Sequence, residues 1–558
     1  MSVTPLGPLP REVADAHVDA LVRLDPTIGS YLGDRESHSR LPDYSPAGAA
    51  ARAGLARETL ARLDDAEKRP GAESDAERRC GRLLRERLTA ELAVHDAGEE
   101  LRAVSNISSP VHAVRQSFTM MPTATDEDWA VVARRLHAVP GSLEGYRASL
   151  ELGLERGLPG GPRATRIHIG QLTEWIDGGW FAEFTAGGPD GLRASLDRAA
   201  HAATEGLTAL RDWLREVYAP AVADAPDTVG RERYARWARY FNGADLDLDE
   251  AYAYGWAEYH RLLAEMRTEA ERILPGAGPW EALAHLAEHG HHIEGVDEVR
   301  SWLQALMDEA IEALDGTHFE LADRVRRVES RIAPPGSAAA PYYTAPSEDF
   351  SRPGMTWLPT MGATRFPVYD LVSTWYHEGV PGHHLQLAQW AHVADRLSRY
   401  QATLGSVSAN VEGWALYAER LMDELGFLPD PERRLGYLDA QMMRACRVIV
   451  DIGMHLGLEI PADSPVHPGA RWTPELAEEF FRAHSGHPAE YVASELTRYL
   501  SMPAQAIGYK LGERAWLLGR ENARRAHGDA FDAKSWHMAA LSQGSLGLDD
   551  LVDELSRL

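Results

Sequence analysis

The sequence of 558 residues predicts a mainly α-helical protein that carries one small β-hairpin or sheet. Apolar residues recur at intervals of three and four along most of the chain, which is the spacing of one face of an α-helix. Only one short segment is rich in the aromatic and β-branched residues that are typical of strands. The apolar fraction of 44% and the charged fraction of 25% are those of a folded globular protein.

Two helices are signalled clearly in the N-terminal half. Thr125 precedes acidic residues and an apolar run that starts at Trp129, so its hydroxyl can cap a long helix. A second amphipathic helix is predicted over residues 247–273, because Pro275 and Gly276 then stop the helical pattern. We interpret residues 1–333 as a helical scaffold.

A change in composition separates this scaffold from a C-terminal half over residues 334–558. The segment 333–354 holds five prolines and few aliphatic residues. Residues 341–344 and 355–358 are the best strand candidates, and they predict a small hairpin. The helical pattern then returns and continues to the end of the chain.

Charge and cysteine content exclude several classes of function. The chain has 57 basic and 84 acidic residues, and its net charge of −27 repels nucleic acids and anionic membrane surfaces. Cys80 and Cys446 are too few for a disulfide framework. Residues 1–10 do not resemble a secretory signal, and no apolar run has the length of a membrane span, so a cytoplasmic location is expected.

Residues 285–289 match the inverted zincin pattern HxxEH, with His285 and His289 four residues apart on one helix face. Further histidines follow at once, the surroundings are polar, and no acidic third ligand stands in an obvious partner helix. We therefore interpret this segment as a histidine-rich helix end on the surface.

A stronger candidate begins at His377-Glu378 and continues to His383-His384. On an ideal helix, residues six apart point about 120° apart, and residues seven apart lie about 10.5 Å apart along the axis. On an unbroken helix, neither His377 with His383 nor His377 with His384 would therefore suit one zinc ion, because bonds from zinc to nitrogen are about 2.0–2.1 Å. Because Pro381 removes a helical hydrogen bond and Gly382 permits unusual conformations, we predict a break that returns His383 to His377 and turns His384 away.

These residues supply the parts of a Zn²⁺ site. His377 and His383 would bind the ion together with Glu412, which opens a helical segment 29 residues after His383. Glu378 would be the general base for a water molecule at the open position. Glu419, two turns after Glu412, is either an alternative ligand or a partner that orients an imidazole. A buried polar network without a metal is the competing interpretation.

The segments His377 to Gln386 and Glu412 to Glu419 resemble bacterial domain-of-unknown-function family 885, with its patterns HExxPGHxxQ and EGWALYAE. Weaker matches extend over nearly the whole chain. This family is similar to the helical gluzincin peptidases, so the resemblance implies a zincin-like fold with a deep groove and a zinc-dependent peptidase activity. One departure is Ala504, which stands between Pro503 and Gln505 where the family pattern has glycine.

Four further residues are candidates for contact with substrate. Tyr509 could donate its hydroxyl to the oxyanion of a tetrahedral intermediate, as a tyrosine does in similar peptidases. Asp451 could fix the tautomer of His455 and leave its other nitrogen facing the groove. Tyr342 lies on the predicted hairpin, whose edge could pair with an extended peptide, and His384 could face the substrate. Packing in the core or the hairpin is the alternative role for Tyr509, His455 and Tyr342, and support of the metal ligands is the alternative for His384.

The sequence thus predicts a zinc metallopeptidase that hydrolyses short peptides, with no nucleic-acid partner and no membrane partner. A non-catalytic helical peptide-binding protein is one alternative, although intact His377, Glu378, His383 and Glu412 argue against it. A metal-dependent hydrolase of non-peptide amides or esters is the other, because the same residues would support it.

Overall fold

The computed structural model describes residues 7–334 and 340–558 and shows a mainly α-helical protein. The strands among the described residues are short and form two small sheets. The predicted fold class is therefore confirmed. Among these residues, no helix combines the length and the apolar character that crossing a membrane requires.

The helices are connected mostly by short turns. As far as Asn242 they are α1 (Pro10–Leu24), α2 (Pro26–Tyr31), α3 (Pro46–Ala66), α4 (Asp75–Asp96), α5 (Pro110–Thr119), α6 (Asp126–Glu155), α7 (Pro162–Asp177), α8 (Trp180–Ala186), α9 (Arg193–Trp213), α10 (Ala219–Val222) and α11 (Gly230–Asn242). The remaining helices are α12 (Leu248–Ile273), α13 (Pro279–His289), α14 (Val296–Leu314), α15 (Val368–Glu378), α16 (His383–His392), α17 (Arg399–Ala402), α18 (Ser408–Glu424), α19 (Pro431–Leu456), α20 (Pro474–Ala483), α21 (Ala489–Ser501), α22 (Gly508–His527), α23 (Ala533–Leu541) and α24 (Leu548–Ser556).

The chain forms two compact units. One consists of the chain up to Glu73, Leu84–Arg236 and Ala493–Pro503, and the other of Ser74–Leu83, Trp237–Val492 and Ala504–Leu558. The division predicted between residues 333 and 334 lies inside the second unit, in a loop that includes residues outside the described part of the chain.

The first unit has its core between α6 and α9. Leu136, Leu143 and Leu150 recur every seven residues along one face of α6 and are fully or almost fully buried against the alanine-rich face of α9. Thr125 caps α6, since its hydroxyl accepts the backbone N–H of Asp128 at 3.2 Å. The long helix predicted after Thr125 is therefore present.

The second unit is built around α19, most of whose residues are buried, with α12 and α15 packed against it. The predicted helix over residues 247–273 matches α12, and the carboxylate of Asp247 caps it by accepting the N–H groups of Asp249 and Glu250 at 3.1 and 3.0 Å. Apolar packing on both sides holds α19 in place and fixes the side chains that it carries.

All of the strands in the described part of the chain lie in the second unit. They are β1 (His292–Glu294), β2 (Val328–Ile332), β3 (Tyr342–Thr344), β4 (Gly354–Leu358) and β5 (Arg365–Pro367). β3 pairs antiparallel with β4, which confirms the predicted hairpin, and β2 pairs parallel with β4 on its other side. β2 was not predicted, because its sequence Val-Glu-Ser-Arg-Ile lies in a region whose composition favours helix.

Candidate metal centre

The helix that carries His377 is interrupted where the histidine spacing requires it. α15 ends at Glu378 and α16 begins at His383, and the N–H of Gly382 donates to the carbonyl of Tyr376 at 3.0 Å across the break. A Cβ atom on Gly382 would lie 2.0 Å from the carbonyl oxygen of His377. The loop can therefore be this tight only with glycine at position 382.

The break brings three potential ligands together. His377, His383 and Glu412 each offer one ligand atom, and these atoms lie within 4.8 Å of one another. Nε2 of His377 and Nε2 of His383 are each 3.5 Å from Oε2 of Glu412. Bonds of about 2.0–2.2 Å in a tetrahedral site place ligand atoms roughly 3.3–3.6 Å apart. Two imidazoles and one carboxylate at these separations fit a zinc ion.

Glu419 contacts the other nitrogen of His377. Its Oε1 lies 2.7 Å from Nδ1 of His377, and its Oε2 accepts the hydroxyl of Ser373 at 2.5 Å. Arg444 lies 3.8 Å away, and Glu419 is only 1% exposed. Burial alone would raise the pKa of Glu419, but Arg444 and His377 outweigh it and hold the pKa below its usual range.

Because an ionised carboxylate only accepts hydrogen bonds, Glu419 fixes the proton of His377 on Nδ1. Nε2 faces Glu412, and it is the nitrogen that a metal ion would bind by displacing its proton. Of the two roles left open for Glu419, the geometry therefore favours the partner that orients an imidazole over the alternative ligand.

The ionisation of the candidate ligands follows from their mutual contacts. Burial would raise the pKa of Glu412, but His377 and His383 hold it well below the usual range. Burial would lower the pKa of His377, but Glu412 and Glu419 raise it to about 9. His377 is thus charge-paired with Glu412 and Glu419, and a divalent cation that binds its Nε2 displaces a proton.

Glu378, the candidate general base, is the last residue of α15 and is 8% exposed. Burial raises the pKa of its carboxyl group, and the opposing attraction of His383 and His377 does not cancel this effect. A carboxylate whose pKa is raised is a stronger proton acceptor than one in water.

Tyr509 lies beside the cluster at the start of α22. Its half-buried ring is parallel to that of His377 to within 15°, with centroids 6.4 Å apart. The guanidinium of Arg447 lies 4.6 Å from the centroid of the same ring. Tyr509, which was predicted from the sequence, is therefore near the candidate metal site, and its ring contacts both His377 and Arg447.

Two residues predicted to contact substrate are buried instead. His384 is fully buried, with Nδ1 at 2.9 Å from the hydroxyl of Tyr343 and Nε2 at 2.6 Å from the carbonyl oxygen of Val325. The side chain of His455 is also fully buried, beside Asp451 at 3.5 Å. In this conformation neither imidazole can reach a substrate, because its surroundings are filled by protein.

Tyr342 lies on the edge strand β3, as predicted, and stacks on Trp357 with ring centroids 5.9 Å apart. His285 and His289 have ring centroids 4.9 Å apart, and His289 is largely exposed. They do not belong to the His/His/Glu group found among the described residues. This agrees with their interpretation as a surface helix end.

Sequence reasoning missed three residues around the cluster. Ser373 lies one turn before His377 on α15, so helical spacing could have identified it as a neighbour of the cluster. Arg444 lies on α19, and no spacing within the sequence relates it to the cluster. The third, Trp414, is two residues after Glu412 and contacts the loop between the two histidines. Nothing in the local pattern of residues 412–419 distinguishes this tryptophan from an ordinary core residue.

Comparison with known proteins places the chain in a family. The family model described as bacterial protein of unknown function matches residues 26–555, which is nearly the whole chain. The chain belongs to the DUF885 family. No curated protein matches it.

Two solved structures share the fold of this DUF885 protein. A candidate lipoprotein from Colwellia psychrerythraea has a TM-score of 0.83 and 20% identity, with 98% of each chain covered. A candidate lipoprotein of unknown function from Shewanella oneidensis has a TM-score of 0.75 and 18% identity, covering 98% of this chain and 100% of that one. At these identities the likeness shows the fold alone.

Proposed function

We propose that this DUF885 protein is a zinc-dependent metallopeptidase that hydrolyses short peptides. The observation that carries the proposal is the convergence of His377, His383 and Glu412, with the carboxylate of Glu378 directly adjacent in the chain. Two imidazoles and one carboxylate leave a fourth position open, which is typical of catalytic rather than structural zinc sites.

The roles of the side chains follow from this arrangement. His377, His383 and Glu412 would hold the zinc ion, which would supply Lewis acidity for a water molecule and for the carbonyl group of the substrate. Glu378 accepts the proton of the attacking water and later donates it to the leaving amine. Tyr509 donates a hydrogen bond to the carbonyl oxygen as negative charge develops there.

Around these residues, buried contacts hold the catalytic groups in place. Glu419 and Ser373 keep the proton of His377 on Nδ1, so Nε2 remains available to the metal. The strand β3, which carries Tyr342, lies at one edge of its sheet, and an extended peptide can add to such an edge. A short peptide is therefore the substrate class that this arrangement suits best.

The cellular location expected from the sequence stays a prediction. The negative net charge supports the absence of a nucleic-acid partner. The lipoprotein descriptions of the two structural neighbours concern those proteins, and they make attachment to a membrane surface the alternative to a cytoplasmic location.

Metal analysis of the purified protein, followed by digestion of a peptide library, tests the proposal. We expect about one zinc per chain and peptide cleavage that a chelator abolishes and added zinc restores. If the protein binds zinc but hydrolyses only non-peptide amides or esters, the alternative of a metal-dependent hydrolase of those substrates would replace the peptidase proposal. Zinc without turnover of either class would favour a peptide-binding protein.

A further inference from the structure

Trp414 connects the helix of the acidic ligand to the loop between the two histidine ligands. It lies on α18, two residues after Glu412, and its indole N–H donates to the carbonyl oxygens of Pro381 and Gly382 at 2.9 and 3.1 Å. Both acceptors precede His383 immediately in the chain. The hydrogen bond thus joins two ligand-bearing segments directly.

The indole ring is held in one orientation by its neighbours. Trp414 is fully buried, and its ring contacts those of Trp516 and Tyr417, with centroids 4.8 and 5.3 Å away. A ring packed in this way cannot rotate without disturbing the core. Its N–H group is therefore a fixed reference point for the loop backbone.

The loop of residues 379–382 is buried, and the N–H of Val380 within it donates to Sδ of Met307 at 3.5 Å. Residues 379–382 belong to neither α15 nor α16, and glycine at both ends gives the backbone conformational freedom. Backbone hydrogen bonds to Tyr376 and Gly379 determine its path along the chain. Toward α18, which carries Glu412, the amide of Gln386 on α16 donates to Oδ1 of Asn410 at 3.0 Å, and the indole of Trp414 reaches the loop itself.

We propose that Trp414 is a positioning residue, whose N–H group sets the location of His383 relative to His377 and Glu412. The proposal rests on the metal centre of the proposed function and not on hydrolysis. Residues that orient metal ligands without touching the ion change metal affinity about 10- to 100-fold when they are altered. Trp414 acts in this way through the backbone of residues 381–382.

The test compares Trp414→Phe with Trp536→Phe. Trp536 is a matched control, because it is 2% exposed in the same unit and its indole donates to the carbonyl of Leu555 at 3.0 Å, away from the metal centre. Both variants lose an indole N–H and a similar volume. Zinc affinity is measured by competition with a chelating dye, and the unfolding temperature of the metal-free proteins is measured alongside.

We expect zinc binding at least about 10-fold weaker in Trp414→Phe and within about twofold of wild type in Trp536→Phe. The visible spectrum of bound Co²⁺ should change in Trp414→Phe alone. If Trp414→Phe does not fold, benzothienylalanine at position 414 keeps the ring shape, removes only the donor and should give the same loss.

Equal zinc affinities in a folded donor-free variant and in wild type would overturn the role of Trp414 and leave the metal centre intact. Wild-type protein that takes up no zinc would instead contradict the metal centre itself, and the inference with it.

Discussion

Oε1 of Glu419 lies 2.7 Å from Nδ1 of His377, and this contact determines which imidazole nitrogen faces Glu412. The hydroxyl of Ser373 holds the second carboxylate oxygen at 2.5 Å, so Glu419 cannot turn away easily. A carboxylate in this position both selects the tautomer of His377 and increases its basicity toward a metal.

Glu419→Gln should therefore weaken zinc binding about 10-fold or more, because the neutral amide neither attracts the Nδ1 proton as strongly nor fixes the tautomer. Glu424→Gln is the control, since Glu424 ends the same helix on the exposed surface. Competition titrations with a zinc chelator measure both variants. Equal affinity of Glu419→Gln and Glu424→Gln would refute the orienting role.

His383→Ala should remove most of the bound zinc, whereas His285→Ala should leave the zinc content unchanged. The first substitution deletes one of three clustered ligands, and the second alters a helix with no such cluster among the described residues. Elemental analysis of the two purified variants checks this. Loss of zinc from His285→Ala alone would show that the wrong motif was assigned.

Ala504→Gly should stabilise the protein by up to about 1 kcal/mol. Ala504 has a φ of 66°, a left-handed conformation that costs an L-residue roughly 1–2 kcal/mol but costs glycine almost nothing. Ala51→Gly, at an exposed position within α3, is the control and should destabilise by about 0.5–1 kcal/mol. Urea unfolding curves measure both; a similar loss of stability in the two variants would contradict strain at Ala504.

Glu258 should make the metal-free protein sensitive to acid. Arg261 at 2.8 Å and Lys510 at 3.2 Å outweigh the effect of burial and lower the pKa of Glu258 from 4.5 to about 2. Since the folded state has the lower pKa, this stabilisation is present above about pH 4.5 and is lost as the pH falls toward 2.

In wild type, the free energy of unfolding should fall between pH 5 and pH 3. Glu258→Gln should make this fall smaller by about 1–3 kcal/mol. Glu205→Gln, whose side chain is 69% exposed in wild type, should leave the slope unchanged. Urea titrations over this pH range provide the measurement. An unchanged slope in Glu258→Gln would exclude a depressed pKa at that position.

The convergence of His377 and His383 could be predicted from the sequence because their spacing conflicts with the helical period, and Pro381 offers a physical way to resolve the conflict. The break between α15 and α16 resolves it in that way. The capping signal at Thr125 also predicted the start of α6, and the amphipathic pattern predicted both ends of α12.

The contacts of single polar side chains could not be derived in this way. The sequence left open whether His455 faces a groove or packs in the core, and whether His384 contacts substrate or supports the ligands, and tertiary packing buries both. Ser373 and Arg444 reach Glu419 from different helices, and no local pattern reveals which helices pack together. β2 was missed because the composition around it favours helix, and only its pairing with β4 reveals it as a strand.

The role of Glu378 is tested most directly by Glu378→Gln, compared with wild type for zinc content and for cleavage of a peptide library. The amide keeps the shape of the carboxylate but cannot accept a proton. We expect about one zinc per chain in both proteins and a fall in turnover of at least about 10²-fold in the variant. Near-wild-type turnover by a zinc-loaded Glu378→Gln variant would contradict the proposed mechanism.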